Sequence, residues 1–95
     1  MGSGADGVSR SVEIVNRRGL HARASARLAK EAGEFQAVIR VCKHDTCVTA
    51  TSIMGLMMLG AAKGDTINVL AEGVDQDAAL DQIAALVSSR FGETE

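Results

Sequence analysis

The sequence predicts an α+β domain in the order βαββαβα, a four-stranded, mostly antiparallel sheet with three helices on one face. Two patterns carry this reading. Four short stretches alternate apolar and polar residues at the period of a strand, and three others cluster Ala, Leu, Ile or Met at helical spacing. Breaks rich in Gly, Asn, Asp or Lys separate them. At 95 residues the chain suits one domain and leaves no room for a second. A core this small cannot wall in a deep cavity, so function is expected on the surface.

Residues 1–7 are small and polar after the initiator and read as a flexible tail, leaving 8–92 as the domain. In residues 8–15, Val12 and Ile14 face one way and Ser11 and Glu13 the other, which suits a first strand. Asn16-Arg17-Arg18-Gly19 reads as a turn, and an Ala-rich helix follows from about His21 to Ala32, with Gly33 as its stop. Phe35, Ala37, Ile39 and Val41 alternate with Gln36, Arg40 and Cys42 as a second strand, and residues 43–46 turn the chain into a third over 47–50. A short apolar helix runs from about Ser52 to Ala61. Ile67, Val69 and Ala71 alternate with Thr66, Asn68 and Glu72 in the fourth strand. Asp75 is placed to cap the last helix, with Asp77 in its first turn and Leu80, Ile83, Ala84 and Val87 as its buried stripe.

Composition removes several classes of function. Phe35 and Phe91 are the only aromatic residues, so little is available to stack on bases, and the net charge of −2 lacks the basic excess of a nucleic-acid binder. No secretory signal stands at the N-terminus. The uncharged run between Asp45 and Lys63 is too short, and too rich in Ser and Thr, to span a membrane. These features predict a cytoplasmic protein. Cys42 and Cys47 are then expected to stay reduced, as ordinary cysteines flanking a hairpin turn. With His44 they supply only three candidate metal ligands and no second pair to complete a tetrahedron, so no metal is expected. Nothing calls for a cofactor or an obligate oligomer.

Chemistry concentrates at His21, at the N-terminal edge of the first helix, just after a glycine turn. Unpaired first-turn N–H groups there form an anion site, and the helix dipole disfavours the imidazolium, which keeps a ring nitrogen free to attack. Arg23, two residues on, can bring a planar donor fork to the same point. A neutral nucleophile, backbone donors and a fixed cation together suit reversible phosphoryl transfer. Residues 17–30 hold five basic residues and no acidic one, and Arg23, Arg27 and Lys30 fall on one helical stripe that suits an acidic partner surface.

Asn16 and the run Gly19-Leu20-His21-Ala22-Arg23 resemble the active-site signature of HPr, the phosphocarrier of the bacterial phosphoenolpyruvate-dependent phosphotransferase system. Ser52-Ile53-Met54-Gly55-Leu56-Met57 and Ala62-Lys63-Gly64-Asp65 are further matches, and the resemblance runs from about Val12 to Val87. It implies the HPr-like open-faced sandwich, phosphorylation of His21 on Nδ1, and Arg23 as the assisting cation. It further implies enzyme I as phosphoryl donor and an EIIA-type domain as acceptor, the chain being a covalent intermediate rather than an enzyme. The family usually places proline after the arginine, where this chain has Ala24. Alanine adds an N–H to the first turn and loosens it, and transfer is expected to survive.

Ser52 reads from the residues as an N-cap, and from the resemblance as a regulatory phosphorylation site for HPr kinase/phosphorylase. The helix it starts is apolar all round, so part of it is expected to stay exposed as a partner surface, with Ile53, Met54 and Met57 outside and Leu56 and Leu59 in the core. A wholly buried helix is the competing expectation. Two alternatives to a sugar-uptake carrier are a nitrogen-type regulator acting by docking and, more weakly, a nucleic-acid module using the basic stripe.

Overall fold

A computed structural model of the chain describes residues 7–94. Apart from Gly7, the expected tail lies outside the described residues. The elements are β1 (Val8–Glu13), α1 (Ala22–Ala32), β2 (Val38–Lys43), β3 (Thr46–Thr49), α2 (Ile53–Met58), β4 (Thr66–Glu72) and α3 (Gln76–Ser88), followed by a 3-10 turn at Arg90–Gly92. The strands form one antiparallel sheet in the order β1-β4-β2-β3.

The alternation seen in the sequence becomes the two faces of this sheet. On β4, Ile67, Val69 and Ala71 are buried beneath the helices, while Thr66, Asn68, Leu70 and Glu72 face solvent. Ile39 and Val41 of β2 and Val12 of β1 join the buried side. Against it, α1 sets Ala24, Leu28, Ala29 and Ala32, and α3 sets Leu80, Ile83, Ala84 and Val87, the expected stripe, together with Ala79 and Leu86. The helix layer is thus apolar where it meets the sheet, and the opposite sheet face stays open.

Several boundaries differ from the sequence reading, each for a local reason. β2 starts at Val38 rather than near Phe35, because the Gln36 and Ala37 amides donate to the Asp75 carboxylate at 2.9 and 2.8 Å instead of joining the ladder. The same bonds correct the role of Asp75. It stands at the N-cap position of α3 but makes no side-chain cap bond, and the Gln36 amide foremost holds its carboxyl below the ordinary value. α2 is shorter than residues 52–61, because the chain turns left-handed at Gly60 (φ 65°) and gives that carbonyl to Lys43 Nζ at 3.1 Å.

The cysteines are the clearest correction. Cys42 and Cys47 are bonded as a disulfide, not held as free thiols. Register is the cause: the β2–β3 ladder sets the two residues directly opposite each other across a two-residue turn at His44 and Asp45. This bond also removes both sulfurs from the three-ligand set considered with His44.

Candidate functional site at the start of helix α1

The approach to α1 is built by the turn the sequence marked. Gly19 adopts φ 64°, and a β-carbon there would sit 2.3 Å from the Ala61 carbonyl oxygen, so both conformation and space require glycine. The Leu20 amide donates to that same carbonyl at 2.9 Å, tying the start of α1 to the chain leaving α2. Buried Ser25 donates its hydroxyl to the Leu20 carbonyl at 3.2 Å and clamps the first helical turn. His21 is the N-cap residue rather than the first helical one. Its backbone is extended and its side chain makes no cap bond, so the first-turn amides keep their donors open.

The His21 side chain is one-fifth exposed and lies against Glu93, with Nε2 2.6 Å from Glu93 Oε2. Asn16 is fully buried and donates from Nδ2 both to the Gly19 carbonyl, at 2.9 Å, and to Glu93 Oε1, at 3.1 Å. Arg23 Nε stands 3.9 Å from Glu93 Oε2, while its side chain remains 74% exposed and able to swing onto an incoming anion. Burial works to raise the Glu93 carboxyl, but the hydrogen bonds from His21 and Asn16 and the charges beside it outweigh burial and hold it below its ordinary value. The carboxylate is therefore ionised at neutral pH.

Beside the histidine, Arg17, Arg18, Arg23, Arg27, Phe91, Gly92, Glu93 and Thr94 line an open hollow of about 530 Å³. Arg27 is held in place, with Nε 3.0 Å from Glu31 Oε2 and Nη1 donating to the Phe91 carbonyl at 3.4 Å. Lys30, on the same stripe, is exposed. The structure thus gathers Asn16, Gly19, His21, Arg23 and Arg27 at one corner. Ser52 is elsewhere: it starts α2, where its Oγ accepts from the Gly55 amide at 3.0 Å, and no hydrogen bond or ion pair joins it to His21. Leu56 of α2 and Leu59 just after it are buried, while Ile53, Met54 and Met57 are exposed. Met58, which the sequence reading left out, is the most exposed of the helix at 80%.

Glu93 is the site residue the sequence reading missed, one position beyond the expected end of the domain. The available signal was an aromatic and a glycine, Phe91-Gly92, among polar residues: Phe91 is buried and Gly92 turns left-handed, returning the chain to the helix start.

Comparison with known proteins places the chain in a family. The family description "PTS HPr component phosphorylation site" matches residues 8–89. Phosphocarrier protein HPr of Cupriavidus necator is 43% identical over 88 residues, covering 93% of this chain and 99% of the relative. Phosphocarrier protein NPr of Shewanella violacea is 46% identical over 86 residues, covering 90% and 94%. The crystal structure of HPr-C-His from Thermoanaerobacter tengcongensis superposes with a TM-score of 0.88 at 39% identity, covering 93% of this chain and 99% of that one. The chain belongs to the HPr family of phosphocarrier proteins of the phosphotransferase system. The family role is that of a carrier, and among the described residues no helix is long and apolar enough to cross a membrane.

Proposed function

We propose that the chain accepts a phosphoryl group from phospho-enzyme I on Nδ1 of His21 and passes it to an EIIA-type domain, working as a monomer without a cofactor. The observation that carries this reading is an uncapped helix start holding a histidine, with a largely exposed arginine two residues away. A transferring phosphoryl group spreads charge over its oxygens, and donors already aimed at those oxygens need no reorganisation as it arrives. First-turn amides and Arg23 supply such donors. The P–N bond then keeps enough transfer potential for the group to move on, where a serine ester would hold it.

Docking falls to the surfaces beside the histidine. Arg27 and Lys30 extend the basic stripe toward an acidic partner, and Ile53, Met54 and Met57 offer an exposed apolar patch on α2, which packs beside α1. Ser52 is the proposed regulatory site for HPr kinase/phosphorylase. A phosphate there would add about −1.5 to −2 charges to the patch without melting a helix start. The NPr relative supports a second reading, a nitrogen-type regulator that acts mainly by docking.

Incubation with enzyme I and labelled phosphoenolpyruvate tests the carrier reading. The expected product is an acid-labile, base-stable phosphate that disappears in His21→Ala; full labelling of that variant refutes the assignment. Running the same assay with a nitrogen-type enzyme I as donor separates the two pathways.

A further inference from the structure

The C-terminal segment reaches His21 by a costly path. Arg90, Phe91 and Gly92 run left-handed in succession, at φ 63°, 55° and 77°, and two of the three carry a β-carbon that disfavours this region by about 1–2 kcal/mol each. Buried Phe91 anchors the turn, and at Gly92 a β-carbon would stand 2.9 Å from the Arg27 guanidinium that binds the Phe91 carbonyl. Strain held in place by packing points to a use for what it delivers, and it delivers Glu93.

Asn16 gives a second, independent indication. It is wholly buried and gives its amide group to the Gly19 carbonyl and to Glu93, leaving Oδ1 with no hydrogen-bond partner among the described residues. An unsatisfied buried acceptor costs roughly 1–3 kcal/mol. That cost is borne by a side chain joining the turn that starts α1 to the carboxylate that meets its histidine.

We propose that Glu93 is a positioning residue for phosphoryl transfer at His21, holding the ring proton on Nε2 so that the lone pair stays on Nδ1. This rests on the phosphocarrier reading for its purpose but not for its chemistry. A neutral imidazole has one donor nitrogen and one acceptor nitrogen, and an ionised carboxylate only accepts, so a 2.6 Å contact at Nε2 requires the proton there. Nδ1 makes no hydrogen bond to the described residues and is left as the nucleophile. As the P–N bond forms at Nδ1 and the bond to the donor breaks, the ring gains positive charge, and the carboxylate beside Nε2 stabilises it. Both carboxylate oxygens are fixed from outside the ring, by Asn16 on Oε1 and by the Arg23 charge near Oε2, so the ring's orientation is set before a partner arrives.

Nitrogen NMR of the full-length chain, at a pH where the ring is neutral, reads which nitrogen carries the proton without any partner protein. The wild type is expected to show one tautomer, protonated at Nε2. Glu93→Ala is expected to show both tautomers and to slow phosphoryl uptake from enzyme I on the order of 10- to 100-fold, the scale on which loss of a ring-orienting partner acts. Glu93→Gln keeps an acceptor oxygen and should restore the single tautomer and part of the rate, which a residue that merely ties down the C-terminus would not require. A Glu93→Ala chain that matches the wild type in either the nitrogen spectrum or the uptake rate overturns the proposal. The His21→Ala labelling result is independent of these, so the positioning role can fail while the carrier reading stands.

Discussion

Two helices of this fold begin in the same way and treat their first turns in opposite ways. The residues before α1 and α2, His21 and Ser52, both have extended backbones, at φ −76° and −97°. Ser52 turns its hydroxyl onto the Gly55 amide and closes its helix start, while His21 turns its ring away to Glu93 and leaves the α1 start open. A side-chain cap contributes about 1 kcal/mol. α1 forgoes it with eleven residues and a full buried stripe to hold it; α2 has six residues, buries Leu56 alone within the helix, and keeps its cap. The open helix end, fit to receive an anion, has been placed where packing tolerates it.

The comparison breaks most readily at Arg23. If the open amides alone held the phosphoryl group, Arg23→Ala would transfer at the wild-type rate. Because a charged fork adds to donors that are already fixed, we expect uptake from enzyme I to fall on the order of 10- to 100-fold. The thermal midpoint should barely move, since the side chain is mostly exposed and its ion pair with Glu93 is long, at 3.9 Å.

The next largest effect separates the two helix starts by stability. The β2–β3 hairpin leads through Ala50 and Thr51 into Ser52, packs Val48 against Gly55, and sends Lys43 to the Gly60 carbonyl beyond the far end of α2. Opening the Cys42–Cys47 bond with dithiothreitol releases a short loop, for which chain entropy gives about 2 kcal/mol. Thermal unfolding should show that loss. Amide exchange should quicken in the hairpin and at Gly55 and stay unchanged at Ser25, the first amide bonded within α1. Equal quickening at both helix starts would mean that they are not separate devices.

Much of this was legible because local pattern and tertiary role coincided. Gly19 broke a strand pattern and does occupy a left-handed turn, and the period of two on β4 survives residue for residue in its burial. What stayed hidden depends on partners far along the chain. Asp75 has the identity and position of a cap, but the Gln36 and Ala37 amides, nearly forty residues earlier, compete for its carboxylate and win. Cysteine spacing carries no register, so the pairing of Cys42 with Cys47 became visible only with the ladder. Glu93 lies 72 residues from His21, in a stretch with neither strand nor helix period. Its approach depends on Arg90 and Phe91 adopting a conformation that their side chains disfavour.

The smallest effect belongs to Ser52, and it separates the two roles assigned to one hydroxyl. Ser52→Ala removes the acceptor for the Gly55 amide and should lower stability by about 1 kcal/mol in denaturant titration, with labelling at His21 unchanged, because no bond links the two sites. Ser52→Asp keeps an acceptor at the cap, so its stability should match the wild type. It also sets a negative charge beside exposed Ile53 and Met54, where an approaching partner would have to desolvate it, and uptake from enzyme I should slow. Were Ser52→Asp to lose both stability and rate, the loss of transfer would follow from a damaged helix rather than from charge on the docking surface. An aspartate as stable as the serine and slower in transfer isolates the charge as the cause, since only the surface facing the partner has then changed.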